Sequence, residues 1–398
     1  MTLLQTKTNP KGAIFVVANF PYTADLDSPQ MQEFVKRKFE RDFPWLLTDG
    51  HEVLLSGVGR GWHGRRNWGT ITAHASVKAT GRLPLDAVMA WITHLVDAWK
   101  TARRGLVIGV APTPDAGLGL ALARLILGRK LKLVVRVQGN TSSKSLFVHK
   151  KRWRSWVLEQ IQTFALRRAD LVVPMGDFTK QLAIGRGVDP SKVIVLPFPV
   201  RWADRAYVAP LAPIPTVLFV GRLEKEKGIH ILLDAMQVVI KTIPQARLLI
   251  AGDGSYRQAL EEKADLLGLR HSVSFLGWLE GDDLIRAYQE AWVLVLPSIL
   301  EEGLGMVLVE AGLMGRPVVG SDLGGIRDII RHGYNGFLVP PGNTWALADA
   351  LAPLLKDREL ARRMGLANRE VALEYLRNRD EAVERVRQAI YALMDGKR

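Results

Sequence analysis

The 398-residue chain contains no cysteine, which removes disulfide staples and thiolate metal sites. Its composition fits a reducing compartment. It also has no apolar run of membrane-spanning length, because the longest runs are broken by Arg, Lys, Pro or Gly, so no transmembrane helix is expected. The opening residues, MTLLQTKTNPKG, lack the apolar core of a secretory signal and lead straight into AIFVVANF. A cytoplasmic protein is expected. Acidic residues are scarce in one half only. Residues 1–200 hold 29 Lys+Arg against 14 Asp+Glu, whereas residues 201–398 hold 25 against 26, so the net charge of +14 belongs to the first half. Such a one-sided field points to a polyanionic partner: nucleic acid, an anionic membrane surface or an anionic substrate.

The length suits two domains. Strand and helix signals alternate throughout, the mark of α/β domains with parallel sheets. Strands are predicted at 13–20, 52–55, 106–111, 131–137, 170–174 and 193–196. Helices fall between them at 30–43, 85–102, 118–127 and 178–184. Residues 197–215 contain five prolines and read as a linker. The alternation then restarts, with strands at 216–220, 247–251, 273–276, 292–296 and 317–320. Helices are predicted at 229–241, 256–267, 282–290, 347–355 and from 359 onward, with another beginning at G-G-I-R-D-I-I. The expected domains are 1–198 and 216–398, joined by 199–215. The G-x-G-x-x-G at Gly59, Gly61 and Gly64 does not follow the first strand and opens no amphipathic helix, so it reads as a basic-aromatic loop rather than a dinucleotide site.

One stretch organises the second half: Pro297 to Glu310, P-S-I-L-E-E-G-L-G-M-V-L-V-E. A buried strand leads into a turn with Gly303 and Gly305, and then into a helix. That layout aims backbone N–H groups and the positive end of a helix dipole at an anion. Glu302 and Glu310 flank the turn, and carboxylates accept hydrogen bonds from hydroxyls rather than binding phosphate. The stretch taken alone fits two descriptions: a site for a ligand with both phosphate and hydroxyls, such as a nucleotide sugar, or an ordinary strand–turn–helix with surface acids. Gly221-Arg222 and Lys227-Gly228 weigh toward the first. Each places a cation beside a glycine in a strand-to-helix loop, where the pair could neutralise a diphosphate as a leaving group.

Spaced motifs across roughly residues 170–355 carry a family resemblance. They are V-G-R-L with K-G (to Gly228), A-G-D-G (Ala251 to Gly254), V-S-F-L-G (Val273 to Gly277), P-S with E-G-L-G and the second Glu, G-R-P-V-V (Gly315 to Val319), Gly324-Gly325, and G-F-L-V-P-P-G (Gly336 to Gly342). In this order they resemble the retaining glycosyltransferases of family four. The resemblance implies the GT-B fold: two Rossmann-like, doubly wound domains facing each other across a cleft, with the C-terminal helix returning to the N-terminal domain. It implies that Arg222 and Lys227 hold the donor diphosphate, with Gly221 beside them. Glu302 would meet hydroxyls of the transferred sugar and Glu310 those of the ribose. The amides of Gly305, Met306 and Val307 would face phosphate or sugar, and Gly277 and Trp278 would line the base. No metal or other cofactor is expected.

The first half departs from the family pattern. The loop after its first strand is Tyr22 to Ser28 rather than glycine-rich, and Gln138 stands where the family often has His. Acceptor contacts are assigned to Gln138, Asp25 and Ser28. Asp25-Leu26-Asp27 spells D-x-D but reads as loop in this fold, and His63 and His149 read as solvated. The stretch from Lys144 to Arg168, with Trp153 and Trp156 among Lys and Arg, fits two descriptions, a helix lying on an anionic membrane or an ordinary domain helix with a charged face; the charge excess of the same half weighs toward the membrane. The expected function is transfer of a sugar, with retention, from a nucleotide diphosphate sugar to a saccharide or lipid-linked acceptor, by a cytoplasmic enzyme peripheral to the inner face of the membrane. The alternatives are a non-catalytic sugar-nucleotide-binding protein and a basic nucleic-acid-binding protein. No groove-reading or base-stacking module supports the latter.

Overall fold

The computed structural model of the chain describes residues 14–18, 52–59, 64–68, 71–78, 83–139, 152–200 and 203–396. The chain forms two compact units. One comprises Met1–Pro199 with Arg379–Arg398, and the other Val200–Asn378. The predicted helix at 30–43 and the loop from Tyr22 to Ser28 lie outside the described residues, as do 140–151.

In the first unit, β1 (Ile14–Ala18), β2 (Glu52–Gly59), β3 (Gly64–Trp68), β4 (Ile71–Lys78), β5 (Val107–Ala111), β6 (Leu131–Val137) and β7 (Leu171–Pro174) make one sheet in the order β3-β4-β2-β1-β5-β6-β7. All pairings are parallel except β3 with β4. Strands β5 and β6 are buried along their whole length, which is why they read as unbroken apolar runs. One charged exception is buried Arg136, whose guanidinium stacks over Phe198, 4.7 Å from the ring centre. Helices α1 (Leu83–Thr101), α2 (Leu118–Leu127) and α3 (Arg152–Arg168) carry the chain from β4 to β5, β5 to β6 and β6 to β7. These steps all run the same way across the sheet. Right-handed crossovers therefore place the three helices on one face, with α1 packed on α2 and α2 on α3. The short α4 (Asp177–Gly185) follows β7.

The second unit repeats the plan. β8 (Thr216–Val220), β9 (Arg247–Ala251), β10 (Val273–Gly277), β11 (Val293–Leu296), β12 (Val318–Ser321) and β13 (Gly336–Val339) form a wholly parallel sheet in the order β10-β9-β8-β11-β12-β13. The helices are α5 (Ile229–Thr242), α6 (Arg257–Leu266), α7 (Gly281–Glu290), α8 (Met306–Leu313), α9 (Thr344–Lys356) and α10 (Arg358–Met394), the last belonging to the first unit from Arg379 onward. Helix α5 shows why they dock: Ile229, Leu232, Leu233, Met236 and Val239 repeat at helical spacing and are all buried. Each such side chain contributes about 1.5–3 kcal/mol on leaving water.

Three predictions differ from the structure. Residues 64–68, read as loop, form the edge strand β3, antiparallel to β4 with Trp68 opposite Ile71. Only two residues separate the strands, a connection that antiparallel pairing permits. Residues 193–196, read as a strand, run beside β7 with amide bonds from Ile194 to the Val172 carbonyl and from Leu196 to that of Pro174, but form no regular ladder. Pro197 and Pro199 follow at once and have no N–H to extend one. The sequence G-G-I-R-D-I-I opens no α-helix. It makes a single 3₁₀ turn, Gly324–Ile326, because Gly324 has left-handed φ (+53°) and the Gly325 amide bonds to the Glu302 carbonyl at 2.8 Å.

A buried amide network ties α10 to the sheet. Asn368 is fully buried; its Nδ2 donates to the carbonyls of Arg316 (2.8 Å) and Leu308 (3.2 Å), and its Oδ1 accepts from Asn335 at 2.8 Å. Asn335 Oδ1 in turn accepts from the Arg331 amide at 2.7 Å. Replacing Asn368 by Leu strands these buried groups. The expected cost is about 2–4 kcal/mol, read as a lower thermal midpoint, while a change within the error of wild type would contradict it.

Candidate active site

In the second sheet the chain moves from β8 outward to β9 and β10, then returns to the other side of β8 with β11. The switch point therefore lies between β8 and β11, and ligands bind such sheets outside the carboxyl ends of the strands at that point. Two loops meet there, Gly221–Gly228 after β8 and Pro297–Gly305 after β11. The Ile299 amide donates to the Glu226 carbonyl at 2.9 Å. Gly228 seals the contact: it sits at φ +70°, and a Cβ there would stand 1.9 Å from the Pro297 carbonyl oxygen. Only glycine permits both that conformation and that approach.

The approach brings Lys227 to Glu302. Lys227 Nζ donates to Glu302 Oε1 at 2.6 Å, and each side chain is 18% exposed. Ser298, fully buried, donates its hydroxyl to the same oxygen at 2.5 Å. From the other side the loop is pinned by Gly325, whose amide bonds to the Glu302 carbonyl and whose missing Cβ would lie 2.2 Å from the Gly303 carbonyl oxygen. Arg222 stands on the same edge but is half-exposed; its nearest acid, Glu226, is 4.0 Å away, the outer limit of an ion pair. The loop thus carries one exposed guanidinium and one ammonium held on a carboxylate.

Gly305, at φ +80°, turns the chain into α8. The first amides of that helix, on Met306 and Val307, have no partner inside it and carry its positive dipole end. Glu310 lies one turn further on. Its Oε2 accepts a 2.7 Å hydrogen bond from the hydroxyl of Tyr288 on α7, a fully buried residue. Burial first, then the Glu310 charge and the hydrogen bond itself, hold the Tyr288 pKa well above its ordinary value, so this hydroxyl stays a donor. Two strands away, Gly277 ends β10 and Trp278 stands 59% exposed, its indole N–H bonded to Glu280 at 2.9 Å.

One edge of one sheet thus collects Arg222, Lys227, Glu302, Glu310, Gly305, Met306, Val307, Gly221, Gly277 and Trp278. Of the acceptor-side residues, Gln138 follows β6 in the first unit and is half-buried. Asp25 and Ser28 lie outside the described residues. No cluster of metal-ligating side chains occurs among the described residues.

Two members of the site went unread in the sequence, Tyr288 and Ser298. Helical spacing marks Tyr288 as a core residue, and nothing in the pattern says that its hydroxyl meets Glu310. In the first unit, Asp115 lies in the loop after β5, at the switch point of that sheet between β1 and β5. Among the described residues its Oδ1 has no hydrogen-bond partner. Burial raises its pKa, offset in part by hydrogen bonds from its own amide and from Thr113.

Residues 39–199 match the glycosyl transferase 4-like domain and residues 203–371 the glycosyl transferases group 1. With both domains in order, the chain belongs to the family-four glycosyltransferases, whose fold is of the GT-B type. Phosphatidyl-myo-inositol mannosyltransferase of Mycobacterium leprae is 40% identical over 161 residues, 40% of this chain and 42% of that protein. The alignments with such curated relatives span less than half of their length. Sucrose-phosphate synthase of Thermosynechococcus elongatus shares the fold with a TM-score of 0.73 at 20% identity, over 97% of this chain and 100% of that one. Anabaena HepE, solved with UDP-glucose, gives 0.67 at 20% over 94% and 99%.

Tyr288→Phe keeps the packing and removes one hydrogen bond to a charged acceptor. The expected result is a rise of about tenfold in the KM for a sugar nucleotide with little change in kcat, measured by steady-state kinetics. An unchanged KM would show that Tyr288 only fills space.

Proposed function

We propose that the chain transfers a glycosyl group, with retention, from a nucleotide diphosphate sugar to a saccharide or lipid-linked acceptor. The observation that carries this reading is the cation–carboxylate arrangement at the β8–β11 switch point, with Lys227 fixed on Glu302, Arg222 beside them and the amino end of α8 opening on the same edge. As the bond from the sugar to the diphosphate breaks, negative charge accumulates on the leaving oxygens. Arg222, Lys227 and the α8 amides stabilise that charge, and they do so most strongly where water is excluded. Glu302 accepts hydrogen bonds from the sugar hydroxyls and Glu310 from the ribose. Trp278 offers its exposed face to the base. Neighbouring strands lie about 4.8 Å apart, so the end of β10 is roughly 10 Å from that of β8, a span that suits base and diphosphate.

Acceptor contacts fall to Gln138 and Asp115, at the carboxyl ends of β6 and β5 within one sheet. Because two cations and a helix terminus already face the diphosphate, the reading requires no metal. It places the enzyme in the cytoplasm, peripheral to the inner face of the membrane. In support, the mycobacterial relative is named for a phosphatidylinositol acceptor, and the first half of the chain is strongly basic.

Lys227→Ala and Glu302→Gln should each lower turnover of the sugar nucleotide by about 10²–10³, with secondary structure intact by circular dichroism. EDTA should leave wild-type turnover unchanged. Wild-type-like turnover in both variants would contradict the assignment, and donor binding with no transfer or donor hydrolysis would make the chain a sugar-nucleotide-binding protein instead.

A further inference from the structure

The three helices on one face of the first sheet bury their inner sides, yet their outer sides are apolar too. Along α1, Leu85, Val88, Ile92 and Trp99 are 42–55% exposed, at the spacing of a single helical stripe. On its neighbour α2, Leu125 is 50% and Ile126 66% exposed; on α3, Trp153 is 63% and Trp156 61% exposed. The helices are adjacent in that order, so together these side chains make an apolar band on the outer face of the layer. Single exposed apolar residues need no explanation, but eight of them on three neighbouring helices of one face do.

The charge around the band has one sign. On α1, α2, α3 and the turns after α1 and α2, nine Lys or Arg side chains are exposed, including Arg103, Arg104, Arg129 and Lys130, against one exposed acid, Glu159. Asp86 and Asp97, the other acids of these helices, are buried. Two of the tryptophans carry an arginine against the ring, Arg103 over Trp99 at 3.9 Å and Arg154 over Trp153 at 5.5 Å. An apolar band with tryptophan and a cationic rim is complementary to an anionic bilayer: the rings and aliphatic chains enter the headgroup–acyl boundary while the guanidinium groups meet lipid phosphates. A second copy of the chain would bring like charges together. Nucleic acid would satisfy the cations but give nothing to Ile92, Leu125 and Ile126.

We infer that this face, and not the Trp-bearing helix alone, docks the protein on an anionic lipid membrane, lying flat with α1, α2 and α3 against the headgroups. No helix among the described residues is long and apolar enough to cross a membrane, so attachment through this face is peripheral. The inference rests on the lipid-acceptor side of the reading above, and identifies the surface and the lipid chemistry that serve it.

The test uses the full chain and sedimentation with vesicles of phosphatidylcholine alone or with 30% phosphatidylglycerol (about a third anionic, enough to set a negative surface potential). Wild type is expected to partition onto the anionic vesicles only, less so as salt rises. Ile126→Glu with Trp156→Glu, both exposed positions, should reduce binding roughly tenfold or more, as should Arg129→Glu with Lys130→Glu. Donor hydrolysis in solution should stay at the wild-type rate in both double variants, which separates docking from catalysis. If the variants bind vesicles as wild type does, the inference is overturned. It is overturned equally by a salt-dependent shift with RNA without vesicle binding, or by a dimer in light scattering that the variants abolish. Loss of turnover in all forms with vesicle binding intact would leave docking in place and overturn the glycosyltransferase reading alone.

Discussion

Gly228 is where the β8–β11 edge of the second sheet is closed. With no Cβ, it lets the loop after β8 lie directly on the Pro297 carbonyl, and that contact decides which side chains meet. Lys227 is delivered to Glu302, Glu226 offers its carbonyl to Ile299, and the loop after β11 is held from the other side by Gly325. A half-buried ammonium and carboxylate at 2.6 Å cost desolvation that their attraction roughly offsets, so the pair is poor evidence of stability for its own sake. Its value is positional. It fixes one cation and one carboxylate a hydrogen bond apart on a rigid sheet edge, where a ligand bearing both phosphate and hydroxyls would find partners for each.

Much of that edge is written in local chemistry. Strands β8, β9, β10 and β11 read as apolar runs bounded by glycine and polar residues, and Gly221, Gly277 and Gly305 stand at their ends or at the start of the following helix. Rossmann-like architecture follows from the strand–helix alternation, and the order of motifs makes the family plain. What was hidden depends on contacts between distant segments. The Tyr288–Glu310 hydrogen bond joins residues 22 apart through their side-chain geometry, and no periodicity encodes it. The 3₁₀ turn at Gly324 reflects the bond from Gly325 to Glu302, a tertiary override of a helix-like sequence. The strand β4 was legible and went unread: Ile71, Ala73, Ala75 and Val77 alternate with Thr72, His74, Ser76 and Lys78, the period of a strand.

The two units divide the electrostatic labour unequally. The second is nearly neutral, with about as many acids as cations, and many of its cations are paired with an acid nearby. The first carries the whole positive excess, and the structure sets much of it around the apolar band of α1, α2 and α3. Charge composition revealed the asymmetry but not its shape. A basic stretch read along the chain suggested one amphipathic helix at 144–168, whereas three sequence-distant helices share the surface.

The central claim is that the β8–β11 edge of the second unit binds a nucleotide diphosphate sugar through Lys227 and Glu302. Isothermal titration of the full chain with UDP-, GDP- and ADP-sugars tests it without an acceptor. One of these donors is expected to bind with one-to-one stoichiometry, and Lys227→Ala should weaken that binding at least tenfold. Binding of none of them, or equal affinity in wild type and Lys227→Ala, would contradict the account.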